Sequence, residues 1–177
     1  LRLQIGIFGR RNAGKSSLLN ALARQDVAIV SETPGTTADP VEKAMEMLPL
    51  GPVLLIDTAG LDDDAALIGG LRVEKSRKIF ERADIALIVS DASWGAFEEK
   101  LLSDFAERGT AVIAVFNKTD VAFPPQNVLD SLRERSVSFV MVSAGKGEGL
   151  GELREMILRK APEDFLSSDK MLGDLVP

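Results

Sequence analysis

Short apolar runs alternate with polar stretches along this chain at a spacing that predicts strands and helices in turn. Leu3 to Phe8 predicts a strand, and Leu18-Leu19-Asn20-Ala21-Leu22 has helical spacing. Asp26 to Val30 is short and mixed. Ser31 to Pro40, broken by Pro34, Gly35 and Pro40, predicts a mobile loop. Val41 to Leu48 alternates imperfectly and reads as a strand, because the apolar run Val53 to Ile56 needs a hairpin partner, with Leu50-Gly51-Pro52 as the turn. Beyond a polar loop at 60–70, a helix is expected over Leu71 to Arg82, facing inward through Val73, Ile79, Phe80 and Ala83. A strand over Asp84 to Ser90 and a helix from about Phe97 to Arg108, closed by Gly109, follow. Ala111 to Phe116 and Ser138 to Val142 predict strands, and Gln126 to Arg135 and Leu150 to Lys160 predict helices.

This alternation predicts an α/β domain of three layers: a mostly parallel six-stranded sheet with one antiparallel edge strand and helices on both faces. The domain is expected over residues 1–162, and residues 163–177, which lack sustained periodicity, read as a linker towards further domains. The opening Leu1-Arg2-Leu3, without methionine, reads as a trimmed start.

Composition narrows the chemistry. Of 177 residues none is cysteine or histidine, so a thiolate cluster site and the commonest general base are both excluded from these residues. Catalysis would rest on phosphate electrostatics, hard cations and backbone dipoles. A net charge of −6 disfavours an RNA-binding surface. With no apolar stretch of membrane-spanning length and no signal peptide, no membrane partner and a cytoplasmic location are expected.

The stretch that carries chemistry is Gly9-Arg10-Arg11-Asn12-Ala13-Gly14-Lys15-Ser16-Ser17, between the first strand and the first helix. This G-x-x-x-x-G-K-S spacing is that of the phosphate-binding loop, so the chain reads as a P-loop NTPase fold. Its glycines let successive N–H groups of Ala13, Gly14, Lys15, Ser16 and Ser17 turn towards phosphate oxygens, helped by the positive end of the helix. Lys15 reaches the β- and γ-phosphates and the Ser16 hydroxyl ligates Mg²⁺. Asp57, at the end of an apolar strand, either holds Mg²⁺ through water or caps the next turn, and the Gly60 N–H is placed to face the γ-phosphate. In Asn117-Lys118-Thr119-Asp120, the Asp120 carboxylate accepts two hydrogen bonds from guanine, a donor pair that adenine lacks. Lys118 lays its stem over the base, Asn117 braces the loops, and Ser143-Ala144-Gly145 complete the pocket with backbone N–H groups.

In this order, at strand ends, these motifs resemble the P-loop GTPases over nearly the whole chain. The resemblance implies GTP and GDP as ligands with Mg²⁺, Thr37 as the switch-loop threonine that ligates Mg²⁺, and switch loops around Thr37 and at 60–70. Within that class the chain is similar to the TrmE–Era branch. The runs Thr36-Thr37-Ala38-Asp39-Pro40-Val41, Asp57-Thr58-Ala59-Gly60-Leu61-Asp62-Asp63 and Leu71-Arg72-Val73-Glu74-Lys75, with Gly9-Arg10-Arg11-Asn12 and the closing Gly173-Asp174-Leu175-Val176-Pro177, resemble the HydF family of [FeFe]-hydrogenase maturation GTPases. That family implies attached dimerisation and cluster-binding domains, other hydrogenase maturases as partners and a homodimer, with no iron–sulfur cluster held by the present residues. Leu61 stands where Ras-like enzymes carry a water-orienting glutamine, which implies slow hydrolysis. Asn12 matches the asparagine that ligates K⁺ in TrmE-like members, and otherwise it is a loop asparagine. Lys15, Thr37, Gly60 and Asn12 are thus the candidate catalytic residues. Arg10 and Arg11 are expected to face solvent or a partner. A nucleotide-gated binding module, and an Era- or TrmE-like GTPase of ribosome assembly or tRNA modification, remain alternatives.

Overall fold

A computed structural model of the chain describes residues 2–25, 28–29, 41–58, 77–163 and 165. The sheet is built on β1 (Leu3–Gly9), which pairs in parallel with β4 (Gly51–Asp57) on one side and β5 (Ile85–Ser90) on the other. β6 (Ala111–Phe116) and β7 (Ser138–Met141) extend it in parallel beyond β5. At the opposite side β3 (Val41–Met47) runs antiparallel to β4. The two-residue strand β2 (Ala28–Ile29) pairs with β3, so the sheet has seven strands in the order β2-β3-β4-β1-β5-β6-β7.

Alternate side chains of the central strands feed two separate cores, so their sequences read as continuous apolar runs. Leu3, Ile5, Ile7, Leu87, Val89, Ile113 and Val115 pack with helices α1 (Lys15–Gln25) and α4 (Leu150–Lys160). On the other face Phe8, Ile88, Ala114 and Phe116 meet Ile79 of a helix described over residues 77–82, together with α2 (Ala96–Arg108) and α3 (Gln126–Glu134). Phe105 of α2 is fully buried there, with its ring centroid 5.0 Å from that of Phe8 and 4.2 Å from that of Phe80. Since Phe8 precedes the candidate phosphate loop by one residue, this aromatic contact ties the start of the loop to α2.

The three-layer α/β fold and the antiparallel direction of the Val41 strand are as expected. Three details differ. Asp26 to Val30 shows no periodicity that predicts an element, yet Ala28 and Ile29 pair with Met45 and Ala44, covering part of the open edge of β3. The expected antiparallel strand is therefore second from the edge. The hairpin turn lies at residues 48–50 rather than at Leu50-Gly51-Pro52. Gly51 and Pro52 already pair with Met47 and Glu46, and at the very start of a strand a missing proline N–H is tolerated. Of the expected helix over Leu71 to Arg82, the part before residue 77 lies outside the described residues. In the segment read as a linker, Phe165 packs against the α1–α4 core, and positions from 166 on lie outside the described residues. No helix among the described residues is long and apolar enough to cross a membrane.

Candidate functional site

The parallel strands end on one side of the sheet, where ligands of such folds collect. β1 runs straight into a single 3₁₀ turn, Arg11–Ala13, closed by a hydrogen bond from the Ala13 N–H to the Arg10 carbonyl at 3.1 Å. Gly14 then adopts φ 89°, a left-handed conformation that a side chain disfavours, and α1 begins at Lys15. A Cβ at Gly14 would also collide with the Asn117 amide, so glycine is required twice over. The loop thereby turns back over the sheet and presents the first turn of α1 to the strand ends.

Lys15 is buried, 2% exposed, and its ammonium donates to the carbonyls of Gly9 and, at 3.0 Å, of Arg10. A cation held at the mouth of a helix N-terminus by neutral carbonyls is an anion-binding arrangement. Ser16, the second residue of α1, is exposed, and its hydroxyl donates to the Asp57 carboxylate at 2.7 Å. Asp57 is fully buried at the end of β4. The next residue, Thr58, donates its hydroxyl to the Ile7 carbonyl at 2.8 Å and fixes the exit of β4 against β1. One hydroxyl and one buried carboxylate side by side are the oxygen donors that a small hard cation takes alongside phosphate oxygens and water, so the pair fits Mg²⁺. Among the described residues no group of three or more acidic side chains gathers, and a cation held there would depend on the phosphates for its other ligands.

The second half of the site comes from the ends of β6 and β7. Asn117 is buried; its amide donates to the Ala13 carbonyl at 2.9 Å and its carbonyl oxygen accepts the Ala144 N–H at 3.0 Å. One side chain thus bridges the phosphate loop and the loop after β7. Lys118, at φ 61°, extends over that bridge and donates to the Asn12 carbonyl. Asp120 is exposed, and its Oδ1 accepts the Ser143 hydroxyl at 2.9 Å, which orients the carboxylate. Thr119 secures the same turn through its hydroxyl on the Val142 carbonyl at 2.9 Å. Asn12 is exposed on the 3₁₀ turn, beside a cleft of about 520 Å³ that Ser90, Asp91 and Phe97 also line. Asp91 accepts the Ser93 hydroxyl and N–H, and these two hydrogen bonds, the hydroxyl's first, hold its carboxyl below the usual range.

The structure therefore brings together Asn12, Ala13, Gly14, Lys15, Ser16, Ser17, Asp57, Asn117, Lys118, Asp120, Ser143 and Ala144 around one face. Thr37 and Gly60 lie outside the described residues. The N–H groups of Ser143 and Ala144, expected to serve a base, are instead engaged within the protein, on the Glu148 carbonyl and on Asn117. Arg10, expected to face solvent or a partner, is 46% exposed and at the same time pairs with the buried carboxylate of Glu98 on α2. Sequence reasoning missed Glu98, whose signal was the Gly95-x-x-Glu98 spacing of a helix start. It also missed the hydroxyl roles of Ser143 and Thr58.

Comparison with known proteins adds the following. Residues 4–118 match the family model described as 50S ribosome-binding GTPase. The chain is 42% identical over 159 residues to the tRNA modification GTPase MnmE of Heliobacterium modesticaldum, covering 86% of this chain and 33% of that protein. It is 38% identical over 163 residues to MnmE of Cyanothece sp., covering 89% of this chain and 34% of the relative. The chain thus spans about a third of the length of these relatives. Among solved structures, Aquifex aeolicus Era bound to GDP.AlF4- aligns with a TM-score of 0.71 at 30% identity, covering 92% of this chain and 58% of that one.

Proposed function

This chain belongs to the 50S ribosome-binding GTPase family, as a GTPase domain of the TrmE–Era type, and we propose that it acts as a slow, cation-dependent GTP-operated switch for segments attached to it. The observation that carries the proposal is the Asn117 bridge, which locks the phosphate loop to the base-reading loops as one unit. A single ligand spanning both loops, with phosphates at one end and a guanine at the other, suits that unit.

In this reading Lys15 leaves the Gly9 and Arg10 carbonyls for the β- and γ-phosphates. The N–H groups of the loop and of the α1 start receive phosphate oxygens, an electrostatic stabilisation that is strongest where charge develops on the transferring group. Ser16 and Asp57 would hold Mg²⁺, Asp57 through water, with Thr37 completing the set, and the chemistry gained there would be neutralisation of phosphate charge. Gly60 offers its N–H to the γ-phosphate. Asp120 reads the guanine edge in the orientation that Ser143 imposes, with Lys118 over the base. Leu61 cannot orient water through its side chain, so hydrolysis is slow unless another group contributes.

Asn12 is proposed as a K⁺ ligand that brings the missing positive charge to the phosphates. It is exposed at the turn of the loop, beside the phosphate-facing residues. Turnover of GTP in K⁺ buffer is expected to exceed that in Na⁺ buffer of equal ionic strength by about tenfold or more, and Asn12→Ala removes the difference. Equal slow rates in both salts would remove the K⁺ role and leave a switch whose hydrolysis needs a group from another chain or domain.

The relatives named MnmE favour a tRNA modification protein as the setting of this domain. Since the chain itself is acidic, RNA contact in that setting would fall to segments beyond it. A second setting, hydrogenase maturation with HydF-type dimerisation and cluster domains, rests on the resemblance of short runs at 9–12, 36–41, 57–63, 71–75 and 173–177, and the comparisons lend it no support. In both settings residues 1–162 form the switch domain and 163–177 lead to what it controls.

A further inference from the structure

At the first step of the phosphate loop, Arg10 carries two jobs at once. Its carbonyl accepts both the Ala13 N–H at 3.1 Å and the Lys15 ammonium at 3.0 Å, so its backbone position sets where the turn closes and where the lysine rests. Its side chain leaves the loop and reaches α2. There Nε lies 3.1 Å from Glu98 Oε2, and Nη2 donates to Oε1 at 3.2 Å, a two-point pair across 88 residues of sequence. The guanidinium carbon also stands 5.8 Å above the centre of the half-exposed Phe97 ring.

Glu98 is the unusual partner. It is 1% exposed although charged, and its Oε1 also accepts the Gly95 N–H at 2.8 Å, which caps α2. A capping glutamate needs no burial, and at a helix start it ordinarily faces water. Gly95 makes the arrangement possible, because a Cβ there would stand 3.2 Å from Arg10 Nη2 and crowd the guanidinium. A buried carboxylate is costly without a fixed cation, and the bidentate fork of arginine meets it in one geometry. The Phe8–Phe105 contact joins the strand that feeds the loop to α2 about two turns further along the helix.

We propose that Arg10 and Glu98 form a latch that positions the phosphate loop for the triphosphate, with Arg10 as a positioning residue rather than a catalytic one. Since the Arg10 carbonyl is a resting place of Lys15, a loop released from Glu98 lets the lysine and the 3₁₀ turn drift from the arrangement that receives phosphates. The inference rests on the guanine-nucleotide reading of the site. It differs from a plain helix cap in what each residue affects. A cap concerns Glu98 and stability alone, whereas a latch makes the two residues act as a pair on nucleotide affinity.

The test measures Kd for GDP and for a non-hydrolysable GTP analogue in Mg²⁺ buffer, with wild type, Arg10→Gln, Glu98→Gln, the double variant and Arg10→Lys. Glu98→Gln keeps shape and an oxygen for the Gly95 N–H, so folding is retained; Arg10→Lys keeps a cation without the fork. Each single glutamine variant is expected to weaken the analogue by about tenfold, the double variant no more than either single, and Arg10→Lys to recover only part of the loss. The same variants are expected to raise KM for GTP more than they lower kcat. Wild type binding guanine nucleotides with both single variants within about twofold of it would overturn the latch while leaving the proposed function standing. Fully additive losses would overturn it too. Wild type failing to bind either nucleotide would overturn the functional reading itself.

Discussion

Replacing Asp120 by asparagine is expected to weaken GTP and GDP binding by about 10²–10⁴-fold, the cost of two hydrogen bonds to a charged acceptor. The geometry also predicts what replaces guanine. Ser143 donates its hydroxyl to Oδ1 of residue 120 at 2.9 Å. In Asp120→Asn the same hydroxyl favours the side-chain oxygen on its side, which turns the new amide NH₂ towards the base. Guanine then meets donor against donor, whereas xanthine presents a carbonyl that accepts. Xanthosine nucleotides are therefore expected to bind the variant better than guanosine nucleotides do, as read by competition against a fluorescent nucleotide. Ser143→Ala is expected to blunt that preference, because nothing then chooses the amide's orientation. Unchanged GTP affinity in Asp120→Asn would remove the guanine assignment.

The second large effect concerns Lys15. Lys15→Met is expected to lower GTP turnover by about 10³-fold, because the lysine would supply side-chain charge to the β- and γ-phosphates. Stability should move little. Methionine fills a similar volume and removes the cost of burying an ammonium, which offsets the lost hydrogen bonds to the Gly9 and Arg10 carbonyls. The Arg10 carbonyl keeps the Ala13 N–H, and α1 keeps the Leu18 N–H on the Gly14 carbonyl at 2.9 Å. Thermal unfolding read by circular dichroism should therefore stay within a few degrees of wild type while phosphate release collapses. A variant that loses activity only by unfolding would contradict the role given to the ammonium.

Much of this arrangement was legible before any coordinates, for a physical reason. The loop from Gly9 to Ser17 and the turn from Asn117 to Asp120 are contiguous runs whose chemistry does not depend on distant partners. Strands buried on both faces, such as Ile85–Ser90 and Ala111–Phe116, announce themselves as unbroken apolar runs. What escaped depends on tertiary pairing. Ala28 and Ile29 are too few to show a period, and they form a strand only because β3 leaves an edge open to them. Pro52 reads as a turn residue, but the register with Glu46 draws it into β4. Arg10 is a surface charge, but its pairing with Glu98 was hidden because that partner lies 88 positions away on another element. The orienting of Asp120 by Ser143 was likewise invisible, since Ser-Ala-Gly was read for its backbone alone. Family detail was harder still. The motifs separate a GTPase from other P-loop proteins, but short runs at 36–41 and 71–75 do not separate hydrogenase maturation from tRNA modification.

One constellation, joined through Asn117, is proposed to select guanine nucleotides over other nucleotides. The most direct measurement is a competition titration in Mg²⁺ buffer, displacing a fluorescent GDP from the wild-type domain with unlabelled GDP and with ADP. Displacement is predicted by GDP near equal concentration and none by ADP at about a hundredfold excess, since adenine lacks the donor pair that Asp120 accepts. Equal displacement by both nucleotides, or no binding of the fluorescent GDP at all, would contradict it.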